Sequence, residues 1–295
     1  MESVLPGGQH YKAKDYRLSK VQLTIFGTIP DTQKERSYTM KKKIKLQAED
    51  FANFLRCLSA LRGICIDADI RGGILRQRSN DKSCIFEMNF APLVSNADIP
   101  MSNLEKKINL LRAFSKEGVQ ITADDNDIYF SGRHSRFKFK KPPSPFMDNP
   151  FISSDELSKI VAAKDEGLVL QYTITRDISK FMKVIAGQFN IIAFQIFFYG
   201  STASITASTA HKLEDCEMEH GIPIKKPLKG FSPIVITPFL LDRDGDMLFK
   251  TYDVGGSVLF NKFTASIGKI SVVVYSRSPL MEEEENSTSK EPLIK

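Results

Sequence analysis

Residues 48–63, AEDFANFLRCLSALRG, place Phe51, Phe54, Leu55, Leu58 and Leu61 at i, i+3, i+4, i+7 and i+10. That spacing gathers them on one face of an α-helix, and Gly63 suits its stop. Asn53 and Arg56 fall on other faces. On both sides of this helix the period drops to two. Residues 21–26 (VQLTIF) and the lysine-rich residues 40–46 read as strands before it. After it come residues 65–70, a turn at Gly72 and Gly73, and the strands ILRQRS and CIFEMNF around a turn at Ser79, Asn80 and Asp81. Alternation in this hairpin predicts Ile74 and Gln77, or their neighbours, toward the core and the arginines toward solvent. A second amphipathic segment, MSNLEKKINLLRAFSKEG, has Leu104, Ile108, Leu111 and Phe114 as its stripe, with Ser102 and Glu105 as a capping box. Three short strands, VQITAD, DIYFSG and RFKFKK, follow.

At residues 142–166 the pattern breaks. PPSPFMDNPFISSDELSKIVAAKDE carries four prolines, which excludes a central strand and predicts a connector. Phe146, Met147, Phe151 and Ile152 are apolar residues within it. They either fold back onto a nearby sheet or form a site for a partner. The order then repeats. LVLQYTIT reads as a strand. RDISKFMKVIAGQF reads as a helix with Ile178, Phe181, Met182 and Ile185 inward and Arg176, Lys180 and Lys183 off that face. Strands are expected at IIAFQIFFYG, ASITAST and CEMEHGI, then a charged loop with Lys225, Lys226 and Lys229. A second helix is expected in PIVITPFLLDRDGDMLFKTYD, and strands in VGGSVLFNKFTASIGKISVVVYS. Each half therefore has the order strand, helix, strands, helix, strands, offset by about 130 residues, a sign of internal duplication.

Composition adds a bias of charge. The net charge is +6, but acids outnumber bases by two from Ser276 onward, so the remaining body carries +8. A basic body suits a polyanionic partner, or is simply a solvated lysine surface. Cys57, Cys65, Cys84 and Cys216 form no CxxC pair and read as small buried hydrophobes. No apolar run reaches the length of a membrane span and the first residues show no signal-peptide core, so an intracellular protein is expected. DRDGD at residues 242–246 has Gly at the fourth place and Asp253 at the twelfth, which does not fit a calcium loop; a tight turn is expected. No P-loop, GxSxG or HExxH is present, and His134 and His211 are isolated. Neither catalysis nor a cofactor nor a metal site is expected.

In its ordered elements the chain resembles the DNA sliding clamps, the family of proliferating-cell nuclear antigen and the phage polymerase clamps. The likeness rests on AEDFANFLRCLSAL, the hairpin GGILRQRSNDKSCIFEMNF, NLEKKINLLRAF followed by VQITADDNDIYF, and KISVVVYSRSPLMEEEE near the end. It implies an α+β fold of two similar clamp-type domains, each with two helices packed on antiparallel sheets, joined by a long connector. The expected division is a basic N-terminal arm at 1–20, a first domain at 21–141, the connector at 142–166, a second domain at 167–280 and an acidic tail at 281–295. The resemblance implies a homotrimeric ring around double-stranded DNA, gripping it without regard to sequence, at the site of DNA replication: the host cytoplasm for a phage protein, the nucleus for a eukaryotic one. A viral or phage origin fits. Arg56, Lys106, Lys107, Arg112, Lys180, Lys183 and Lys250, taken as basic residues on four helices, are the expected DNA-facing set. DNA polymerase and clamp loader would dock short hydrophobic peptide motifs on Phe146, Met147, Phe151 and Ile152, with Pro279 and Leu280 on the far side. Two alternatives stand beside this: a monomeric or dimeric DNA-binding processivity factor of the same fold, and a structural β-rich interaction protein.

Overall fold

In the computed structural model the described residues are 42–95, 97–143, 147–161, 165–189, 191–209, 221–228, 230–236, 244–255 and 257–281. All belong to one unit, Ser37–Lys295. The expected N-terminal arm, the strand at 21–26, Phe146, His211, Cys216, Lys229 and the acidic tail beyond Met281 lie outside them.

The first half runs β1 (Lys42–Leu46), α1 (Ala48–Ala60), β2 (Ala68–Arg71), β3 (Ile74–Arg78), β4 (Cys84–Asn89), α2 (Ala91–Val94), β5 (Ile99–Met101), α3 (Leu104–Leu111), β6 (Val119–Ala123), β7 (Asp127–Ser131) and β8 (Arg136–Lys140). The connector contains α4 (Ser154–Ile160). The second half runs β9 (Leu168–Ile174), α5 (Arg176–Phe189), β10 (Ile191–Thr209), β11 (Gly221–Leu228), β12 (Ile234–Ile236), β13 (Met247–Asp253), β14 (Val258–Ile267) and β15 (Ile270–Pro279).

The repeat is explicit in the strand pairing. One sheet has the order β1-β6-β7-β8, and the second half has its equivalent in β9-β13-β14-β15. Likewise β5-β2-β3-β4 corresponds to β12-β10-β11, with β10 standing for β2 and β3 together. Every ladder is antiparallel. The halves join where β15 pairs with β4, from Ser271 opposite Asn89 to Ser276 opposite Cys84, making one sheet of eight strands.

Helices α1, α3 and α5 bury their apolar stripes in the main core. Phe51, Phe54, Leu58 and Leu61 are fully buried as the 3.6-residue period requires, and Phe54 meets Phe90 edge to face at 5.2 Å. Gly63, with φ +78°, ends the α1 segment in the left-handed region that glycine tolerates best.

Several expectations are corrected. The capping box of α3 does not form: its N-cap is Asn103 in a left-handed conformation, and Glu105 instead takes an ion pair from Arg62. Lys225 and Lys226 lie on β11, not in a loop. The second half has no helix over residues 244–253; a turn leads into β13, so Lys250 is on a strand, while residues 237–243 lie outside those described. Phe181 is not inward but 55% exposed: Met182 and Ile185, with Ile178 and Ala186 partly buried beside them, form the inward face of α5 and Phe181 lies off it. Arg76 is buried rather than solvent-facing, since the connector covers the hairpin face it occupies.

Candidate nucleic-acid interface and partner face

Arg56 of α1 and Arg112, just after the end of α3, line a concave surface. A cavity of about 430 Å³ opens between the two elements and the end of β14, lined by Ala52, Leu55, Arg56, Ser59, Arg112 and Ile267. The structure thus brings Arg56 and Arg112 together. Arg56 is not a bare cation: its Nη1 donates to Asn53 Oδ1 and to Asp244 Oδ1, both at 3.0 Å. Asp244 also accepts the Gly268 N–H, and Asp246 Oδ1 accepts the Arg176 N–H at 2.8 Å. The described part of DRDGD therefore ties α1, α5 and the β14–β15 turn together, and among the described residues no cluster suits a metal ion.

On α3, Lys106 is exposed, whereas Lys107 folds back. Its Nζ lies 3.5 Å from Ser102 Oγ and 5.3 Å from the centre of the Phe139 ring on β8. Burial pushes this amine down to about 8, against the opposing pull of Asp67. A half-buried lysine held over a ring reaches less far toward a polyanion than Lys106 does. On α5, Lys180 and Lys183 are exposed, with Lys180 in a solvent-open pair with Asp177 at 3.3 Å. Lys250 does not join this group. It alternates with Phe249 and Thr251 on β13 and sits opposite Lys262 on β14, on the sheet face away from the main core.

The connector is fastened to the first half by polar groups. Asn149, 2% exposed, accepts the N–H groups of Ile66 (2.9 Å) and Asp67 (3.1 Å) and donates to Arg78 O (3.0 Å) and Asn80 Oδ1 (2.9 Å). Asp67 Oδ2 accepts the Asp148 N–H at 2.8 Å, and the Ile152 N–H donates to Arg76 O at 2.7 Å. Arg76 in turn bonds Glu87 (2.6 Å) and Ser154 Oγ (2.9 Å), while Arg71 and Arg76 lie 5.1 and 5.9 Å from the Phe151 ring centre. Ser153 caps α4 by accepting the Glu156 N–H at 3.1 Å.

Beyond this latch, α4 crosses the seam between the halves. Ile152 and Leu157 pack with Ile85 of β4, Tyr275 of β15, Phe260 of β14 and Tyr252 of β13 in a second, smaller core. Burial, with the Glu87 charge adding to it, pushes the Tyr275 hydroxyl up to about 12. Met147 and Ile152 are therefore buried against their own chain and Phe151 is half-buried, the fold-back outcome of the two the sequence allowed. Leu280 bridges to Phe231, and its N–H bonds Ser257 O at 2.7 Å. What opens next to the connector is a smaller cavity of about 130 Å³ among Ile85, Ile160, Phe260 and Tyr275, rimmed by Arg78, Lys82 and Arg277. The anchors Asn149 and Asp67 escaped the sequence reading, because a polar residue in a proline-rich stretch looks like any turn former.

No protein-family model matches this sequence, and no curated protein matches it. Solved structures do. A structure of the C-terminal region of FEN-1 bound to A. fulgidus PCNA aligns with a TM-score of 0.53 at 12% identity, covering 83% of this chain and 100% of that one. The PCNA2–PCNA3 complex from Sulfolobus tokodaii aligns at 0.47 and 11% identity over 80% of this chain and 99% of its own. PCNA from Entamoeba histolytica aligns at 0.47 and 13% over 80% and 98%. The first likeness shows the fold: two clamp-type halves of helices on antiparallel sheets, as in PCNA.

Proposed function

We propose that this chain is a DNA sliding clamp: copies join head to tail into a ring of three that encircles duplex DNA inside the cell and tethers a replicative polymerase and its loader without covalent chemistry. The observation that carries this reading is the seam. Within one chain, β4 accepts β15 to fuse two copies of the same architecture. The equivalent strands, β11 for β4 and β8 for β15, each end a sheet with no strand bonded beyond them among the described residues. Repeating the internal joint between chains pairs β8 of one copy with β11 of the next, a heterologous contact that closes when the rotation does.

In such a ring Arg56, Arg112, Lys106, Lys180 and Lys183 supply the helical cations, and Lys250 does not. Diffuse contacts of this kind weaken with salt and carry no base readout. The test is retention on DNA. A closed ring stays on nicked circular DNA and is lost on linearisation, whereas a basic-face binder is indifferent to ends. Charge reversal at Lys106, Arg112 or Lys180 should lower the slope of log affinity against log salt by about one each, and Lys250→Glu should leave it unchanged. Equal retention on circular and linear DNA would turn the reading to the open processivity factor. One feature favours that second reading for the isolated protein: β11 carries Pro223 and Pro227, and its register against β10 slips between Thr202 and Gly200. Prolines and bulges are how edge strands resist pairing.

A further inference from the structure

The two strands that the ring reading brings together differ from the pair already joined inside the chain. At the seam, the β15 segment that meets β4 is Ser-Val-Val-Val-Tyr-Ser, without charge. The one charge on β4, Glu87, is taken up by Arg76 at 2.6 Å. The open strands are cationic on both sides. On β8, Arg136, Lys138 and Lys140 are all exposed, alternating with Phe137 and the buried Phe139. On β11, Lys225 and Lys226 are exposed. Local acids answer only some of these charges: Lys138 pairs with Asp127 at 2.9 Å and Lys226 with Asp253 at 2.7 Å. Like charges set directly opposite each other across a strand pair destabilise it.

We propose that the joint between copies of this chain is held apart by like charge and closes when anions neutralise it. The occupant of the β8 edge is β11 of a second copy, and the condition for its docking is screening. The inference rests on the ring reading and adds its regulation: the chain in isolation is open, and a polyanion such as the DNA backbone supplies the neutralisation that lets the edges meet. It also gives association and DNA affinity opposite salt dependences, since phosphate contacts weaken with salt.

The experiment is the mass of the full chain by light scattering from about 0.1 M to about 1 M NaCl, over which the screening length falls from ~10 Å to ~3 Å. The expected result is a shift from the 33.2 kDa chain toward three times that mass, with an association constant rising at least about tenfold. Lys225→Glu, on the surface, should associate already at ~0.1 M and reverse the trend, dissociating as salt rises, because Lys226 is already paired with Asp253. Arg136→Glu, which leaves Lys138 and Lys140 on β8, should flatten the trend. That reversal separates charge from a general strengthening of apolar contacts by salt. A wild-type trimer that weakens with salt, or variants that keep the wild-type slope, would overturn this inference and leave the ring intact. Monomers for all three proteins at every salt would overturn the ring and this inference with it.

Discussion

The joined strands β4 and β15 and the unjoined strands β8 and β11 hold equivalent places in a repeated architecture, yet their chemistry has diverged. The joined pair is apolar, in unbroken register over six residue pairs, and covered on its outer face by α4. The unjoined strands are cationic, and one is interrupted by proline. The difference teaches what makes the internal joint permanent, which is buried area and a strap; on the proposed ring, the same topology between copies would be conditional because charge is left at its surface.

The comparison breaks most severely at the seam itself. Phe86 is fully buried on β4, opposite Val274 of β15 and Gln77 of β3. Phe86→Ala should cost about 3–5 kcal/mol in denaturant unfolding; a loss well under 1 kcal/mol would mean that the seam contributes little. The strap comes next. Asn149→Ala leaves the buried Asp67 N–H without its acceptor and the Ile66 N–H with only Asn80 Oδ1 at 3.3 Å, which should cost ~1–3 kcal/mol and open residues 147–161 to protease before the rest of the chain unfolds. Cleavage no faster than in wild type would show the connector held by α4 and its remaining bonds to Asp67 and Arg76.

The smallest effect sharpens the unjoined side, where Lys107 lies over Phe139 of β8. Its folded value of about 8 is below its ordinary 10.5. Between these values the unfolded chain holds the proton and the folded one does not, so stability rises with pH across that window and the gain is lost as pH falls through 8. Unfolding midpoints should show this slope in wild type and lack it in Lys107→Met; equal slopes in the two proteins would place the titration elsewhere.

Much of this fold was legible. The stripe of α1 and the run Leu104, Ile108, Leu111, Phe114 are local patterns, and all of them are buried. The misses have physical causes. Met247, Phe249 and Thr251 alternate as a strand should and are buried, but analogy with the first half gave that stretch to a helix and put Lys250 among the helical cations. Helix α4 was overlooked behind the prolines, although Ser153 and Glu156 have the capping spacing that its N-terminus uses. The burial of Arg76 was not readable at all, since the face it occupies is covered by residues far away in sequence. For the candidate site, exposure of Lys106 and Lys180 follows from helical periodicity, whereas the inward turn of Lys107 depends on a ring from another sheet.

The eight-stranded sheet also has a mechanical consequence. A chain of two domains tied only by a linker would flex at the linker, but here an antiparallel ladder crosses the boundary and α4 braces it from outside. Sliding that ladder by one residue would turn every side chain to the wrong face, so it resists shear and yields mainly in gentle twist. Each chain is then stiff across the joint between its halves. In the ring proposed above, compliance would concentrate at the joints between copies, and a gap would open there before it opened at mid-chain.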